Sequence, residues 1–161
     1  VLSGSPQARC IAIPTPASLI SPNLNEVVIN ENSILIRNER FNVERTIYTD
    51  GRAHPEEGVR SNQGHSIGKW EGDTLVVDTI LFEPHRSPVI GSGIASGLEK
   101  HVTERFSLRE NGTQLHIDYV LEDPEHLEEP FTGTVVWHYA PHFPMLGFDC
   151  DPENASRFTL R

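Results

Sequence analysis

From residue 26 onward, apolar side chains recur at alternate positions in short runs rich in Val, Ile, Thr and aromatics, and each run stops at a turn-forming cluster. A two-residue period is that of a strand with one buried face. Glu26–Asn30 and Ser33–Arg37 flank the polar turn Glu31-Asn32, and Asn42–Thr49 ends at Asp50-Gly51. His65–Trp70 and Thr74–Leu81 are joined through Glu71-Gly72-Asp73, where Gly72-Asp73 suits a two-residue hairpin loop with glycine first. His101–Arg109 and Gln114–Glu122 flank Asn111-Gly112, the strongest short hairpin signal. With that loop, one face pairs Val102 with Leu121, Glu104 with Tyr119, Phe106 with Ile117 and Leu108 with Leu115. The other face pairs His101 with Glu122, Arg105 with Asp118 and Ser107 with His116. One face is apolar and the other polar, as a half-buried antiparallel ribbon requires. Thr132–Tyr139 supplies a last strand, and Pro141–Phe148 is apolar and Pro-broken, suited to covering a barrel mouth or to a homodimer contact.

About eight strands with hairpin connections predict an all-β fold, a single antiparallel barrel or strongly curved sheet of the small-barrel, lipocalin-like kind. Helical signal is confined to a weak stretch at Pro124–Glu129. Residues 1–25, with Pro6, Pro14, Pro16 and Pro22, read as an extended segment docked on the single β-rich domain of residues 26–161. Between Glu83 and Glu99 runs a Gly- and Ser-bearing loop of the length that binding loops and lids have.

Composition narrows the partners. The net charge of −10 opposes a nucleic-acid partner, which needs clustered Lys and Arg, and opposes adsorption to anionic lipid. No run reaches the roughly 18 apolar residues of a membrane-spanning helix. Val1-Leu2-Ser3 is not an initiator start, so a processed N-terminus is expected. Cys10 and Cys150 bracket nearly the whole chain; a disulfide between them is the expectation and two free thiols the alternative.

Ala8-Arg9-Cys10, Thr49-Asp50-Gly51-Arg52, the run Gly64–Val77 (GHSIGKWEGDTLVV), His101–Phe106 (HVTERF), Glu122-Asp123-Pro124, and Cys150 with Glu153-Asn154 resemble a family of uncharacterised exported bacterial β-rich proteins. The resemblance implies export to the periplasm or beyond and a shared fold. It implies no mechanism, and the loop Glu83–Gly97 departs from the family pattern.

Among motifs, Gly64-His65-Ser66-Ile67-Gly68 matches G-x-S-x-G, but a nucleophile elbow needs a strand-to-helix turn and this run leads into a hairpin. Gly91-Ser92-Gly93 with Gly97 lacks the βαβ unit of a dinucleotide site. His65, His85, His101, His138 and His142 lack metal-ligand spacing, so no metal or other cofactor is expected. The sharper signal is polar residues where the strand parity says core. Glu104 shares a face with Val102, Phe106 and Leu108 opposite Tyr119, and Asp123 continues the Leu115–Leu121 face. Such a carboxyl either pairs or suits a general acid. His65 and Asp78 fall diagonally on one face, near enough for an imidazole–carboxylate pair. The competing reading for each is a buried salt bridge, with Arg45 or Arg105 as the partner of Glu104 if a strand is bulged.

By exclusion, the expected function is a cofactor-independent lyase or isomerase acting on a small hydrophobic molecule, for example a terpenoid epoxide, inside the barrel. Asp123 or Glu104 would protonate the leaving oxygen, Tyr119 would orient it, and His65 with Asp78 would take a proton back. The alternative is a non-catalytic barrel that binds a hydrophobic ligand or a protein partner.

Overall fold

A computed structural model describes residues 10–84, 95–148, 150, 151 and 153. Eight strands form one curled sheet, a half-barrel, in sequential order: β1 (Asn25–Ile29), β2 (Ser33–Asn38), β3 (Val43–Tyr48), β4 (His65–Glu71), β5 (Thr74–Ile80), β6 (His101–Arg109), β7 (Gln114–Glu122) and β8 (Phe131–His138). Each lies on a run whose alternation predicts it. The β6–β7 register is the predicted one, from His101 opposite Glu122 to Arg109 opposite Gln114. Its turn has Asn111 (φ 55°) and Gly112 (φ 82°) both left-handed, with the Thr113 N–H donating to the Glu110 carbonyl at 3.2 Å. That is the mirror-image turn whose twist matches the flanking strands. Gly72, at φ 59°, opens the β4–β5 loop in the same way.

Two local expectations change. The connections are not all hairpins: β3 and β4 run parallel, touching through Ile47 opposite Ser66 and Tyr48 opposite Ile67. A parallel neighbour needs a crossover, and residues 49–64 make it across the outer face of the sheet. Pro124–Glu129 is a turn rather than a helix, closed by N–H groups of His126 and Leu127 on the Asp123 carbonyl. Helix instead appears at α1 (Ala17–Ile20), within the segment expected to be extended.

The concave face carries the core: Ile34, Ile36, Ile47, Leu75, Val77, Phe106 and Ile117 pack with Leu19 from α1. The Trp137 indole N–H donates to the Leu19 carbonyl at 3.0 Å, and Thr15 is buried against Gln63, so residues 13–19 are fastened to the sheet. Above this core Phe82, Val102 and Leu121 form a second apolar cluster. A cavity of 890 Å³ opens on the concave side, lined by apolar residues such as Ile36, Ile47, Leu75, Phe106 and Trp137, with Pro141, Phe143 and Met145 from the stretch after β8. Cys10 and Cys150 are disulfide-bonded, their Cα atoms 5.5 Å apart. No helix among the described residues is long and apolar enough to cross a membrane.

Candidate functional site

The sheet divides the predicted site residues between its two faces. Glu104, Tyr119 and Asp123 point to the concave side, and His65 and Asp78 to the convex side. None of the five lines the apolar cavity. A cup in which carboxylates, phenol and imidazole act together is therefore not what this chain builds. The expectation that His65 and Asp78 share the barrel interior with Glu104 and Tyr119 is corrected: the strand pairing puts Asp78 on the face opposite to Val77 and Glu104, with His65 beside it. The polar and apolar parts of the concave face also occupy different levels of the half-barrel.

Glu104, with no exposed surface, is clamped by Arg45, whose side chain is 3% exposed. The Arg45 Nη1 donates to Oε1 at 2.8 Å and Nη2 to Oε2, a two-pronged pair. Arg45 also donates from Nε to Ser66 Oγ at 3.0 Å and from Nη2 to Thr79 Oγ1 at 2.9 Å. Both carboxylate oxygens are thus engaged by one guanidinium. The buried salt bridge wins at Glu104, and no bulge is needed because Arg45 points inward in regular alternation with Ile47. Ser66 belongs to the same network in mid-strand, which removes it as a nucleophile.

Asp123, 2% exposed, accepts the Gly97 N–H on Oδ2 at 2.8 Å, while Glu125 Oε1 accepts from Leu98. These carboxylates clasp the backbone that leads into β6. Beside them burial pulls the Lys100 ammonium down to about 8, against the opposing pull of Asp123 and Glu104. Its Nζ donates to the Thr15 carbonyl at 2.7 Å and lies 4.3 Å from the centre of the Phe82 ring. Tyr119 packs over Gly133 on β8, where an added Cβ would meet its ring carbon Cζ at 2.6 Å. Burial pushes its phenol up. Of the three concave-side residues, Glu104 is engaged on both oxygens by Arg45, whereas Asp123 Oδ1 is buried with no hydrogen-bond partner among the described residues.

The convex face is different. The crossover loop brings His54 between the two residues expected to pair directly. His54 Nδ1 lies 2.7 Å from His65 Nδ1, and His54 Nε2 lies 3.3 Å from Asp78 Oδ2. Asp78 Oδ1 meets His101 Nε2, and His101 Nδ1 lies 3.1 Å from Glu122 Oε2. A chain His65–His54–Asp78–His101–Glu122 results, drawn from β4, the loop, β5, β6 and β7. The strand registers align it: Ile67 opposes Asp78, Asp78 opposes Thr103, and His101 opposes Glu122. The loop is held in place by Arg60, which donates to the Phe82 and Leu98 carbonyls at 3.0 and 2.9 Å.

Hydrogen-bond polarity orders the protons along this chain. A carboxylate only accepts, so the bond to Asp78 takes a proton on His54 Nε2. A neutral His54 then accepts on Nδ1, and His65 donates from Nδ1, which leaves the His65 lone pair on Nε2. Burial lowers the His65 pKa, and the charge of Arg52 adds to the effect. An imidazole held neutral, in one tautomer, with a carboxylate-anchored ring behind it has the requirements of a general base. Tyr48 stacks on His65 with ring centroids 5.3 Å apart, and Arg52 lies over Tyr48 at 3.9 Å.

Of these residues, strand alternation points to His65, Asp78 and the His101–Glu122 cross-strand pair, but not to His54, Tyr48 or Arg52. The signal was available in Thr49-Asp50-Gly51-Arg52 and His54, but a loop has no periodicity from which to read the direction of a side chain. His138 and His142 lie apart and exposed, and His85 with Gly91-Ser92-Gly93 lies outside the described residues. Among the described residues no cluster has the geometry of a metal site. No family model, curated protein or solved structure matches the chain.

Proposed function

We propose that this chain is an acid–base catalyst of the lyase or isomerase class, working on its convex face with His65 Nε2 as the base. The observation that carries this reading is the unbroken path His65–His54–Asp78–His101, with His65 Nε2 at its end meeting no partner among the described residues. In a turnover, His65 Nε2 takes a proton from a carbon acid or from a C–H beside a strained C–O bond. The resulting imidazolium still donates from Nδ1 to His54, whose own N–H leans on Asp78. The proton is then returned to the substrate at another atom. The molecule acted on is a small one bearing an acidic C–H. Export, implied by the family resemblance, belongs to the same proposal, and the disulfide supports it because such bonds persist in oxidising compartments.

The test is solvent deuterium exchange, followed by proton NMR, over a panel of small carbonyl compounds and epoxides. Positioned general bases contribute about 10²–10⁴-fold, so His65→Gln, His54→Asn and Asp78→Asn are each expected to lose at least a hundredfold in exchange rate. Asp123→Asn, in a fold that survives it, is expected to retain the rate. Equal rates in wild type and His65→Gln, or no exchange by wild type on any member of the panel, overturn the reading.

A second reading, a binder of a hydrophobic molecule, is supported by the 890 Å³ concave-side cavity, which falls within the range of small-molecule sites. Trp70 and Trp137, the two tryptophans of the chain, both line it. A saturable change in intrinsic fluorescence on titration with a neutral lipophile is the expected sign of binding.

A further inference from the structure

The face that carries the imidazole chain also carries a cation that the acid–base scheme does not use. We propose that Arg52 is the anion-binding element of this site and that the molecule acted on carries a carboxylate; this rests on the acid–base reading above. Arg52 is fixed in place three times over. Its Nε and Nη2 donate to the Asp50 carboxylate at 2.9 and 2.6 Å, its backbone N–H donates to Asp50 Oδ1 at 3.2 Å, and its guanidinium lies on the Tyr48 ring. Asp50 and Arg52 are partners strongly enough that the Asp50 carboxyl is pulled down to about 2 by the Arg52 hydrogen bond.

Those contacts engage one edge of the guanidinium. Both Nη1 N–H groups and the second one on Nη2 meet no protein acceptor among the described residues, and the side chain is 47% exposed. A pre-oriented pair of parallel N–H donors facing solvent matches the two oxygens of a carboxylate. Its position fits the base. Arg52 and His65 both contact the Tyr48 ring, at 3.9 and 5.3 Å, so they lie no more than about 9 Å apart. A molecule of a few carbons reaches from one to the other, its acidic C–H at His65 and its carboxylate at Arg52.

Charge selects within the anions. Asp50 already neutralises Arg52, Asp78 and Glu122 stand nearby on the same face, and the whole chain is at −10. A phosphate dianion meets more repulsion there than a carboxylate monoanion does. An Arg–Asp pair kept only for stability would be an exposed ion pair of little consequence, and its loss would leave anion binding unchanged.

The experiment is a pair of NMR titrations of the full chain at constant ionic strength, one with sodium acetate and one with inorganic phosphate, read on the His65 and His54 ring resonances. Acetate is expected to shift the His65 signals saturably and to raise its pKa, since a nearby anion favours the imidazolium. In Arg52→Gln the acetate affinity is expected to fall at least tenfold, and Arg52→Lys, which keeps the charge without the fork, to fall in between. Phosphate is expected to bind more weakly than acetate. Superimposable acetate curves for wild type and Arg52→Gln, linear shifts without saturation, or phosphate binding as tightly as acetate overturn the proposal. His54→Asn separates the two readings: retained acetate binding with an unchanged His65 titration removes the acid–base chain and leaves the anion site standing.

Discussion

Replacing Glu104 by Gln tests whether the concave-side carboxylate is structural. The change keeps shape and one acceptor but leaves the Arg45 charge, 3% exposed, without its counter-ion. Ser66 and Thr79 still accept two of its N–H groups, and neither bears charge. Breaking a buried pair by removing one partner costs about 3–5 kcal/mol, because the surviving ion stays desolvated. For a chain of this length that corresponds to a fall in Tm of roughly 6–20 °C. The assay is urea and thermal unfolding followed by circular dichroism under oxidising conditions, with single Arg45→Met and double Arg45→Met/Glu104→Leu variants alongside. The double variant is expected to recover most of the loss, since an apolar pair of similar volume carries no desolvation penalty. A Glu104→Gln protein within about 0.5 kcal/mol of wild type would refute the argument, as would a double variant no better than either single one.

Gly133→Ala is expected to destabilise by about 1–3 kcal/mol through overpacking, since its Cβ would lie 2.6 Å from Tyr119 Cζ; chemical denaturation measures it, and Tyr119→Leu in the same chain should restore part of the loss. Cys10→Ser with Cys150→Ser removes a cross-link spanning 140 residues and is expected to cost about 4–5 kcal/mol in the chain-entropy model, seen equally when wild type is unfolded in reductant. His65, whose folded pKa is depressed below 6.5, contributes stability that is present above pH 6.5 and lost as pH falls through its folded value. Unfolding free energy measured against pH should therefore decline on the acid side of 6.5 less steeply in His65→Gln than in wild type.

Strand positions, the Asn111-Gly112 and Gly72-Asp73 turns and the register of β6 on β7 are legible in the sequence. These are local properties: side chains alternate with a period of two, and a two-residue turn fixes which positions oppose each other. The placement of Glu104 and Tyr119 opposite each other in the interior follows from that alone, as does the His101–Glu122 pair outside. Nothing local says what lies across the interior from Glu104. Arg45 is 59 residues away and reaches it only because β3 lies beside β4 in parallel and the sheet then curls. The same parallel contact throws residues 49–64 over the convex face and sets His54 between His65 and Asp78. Alternation thus assigns a residue to a face, but the curl of the sheet and the path of an aperiodic loop choose its neighbours, setting Arg45 against Glu104 and His54 between His65 and Asp78.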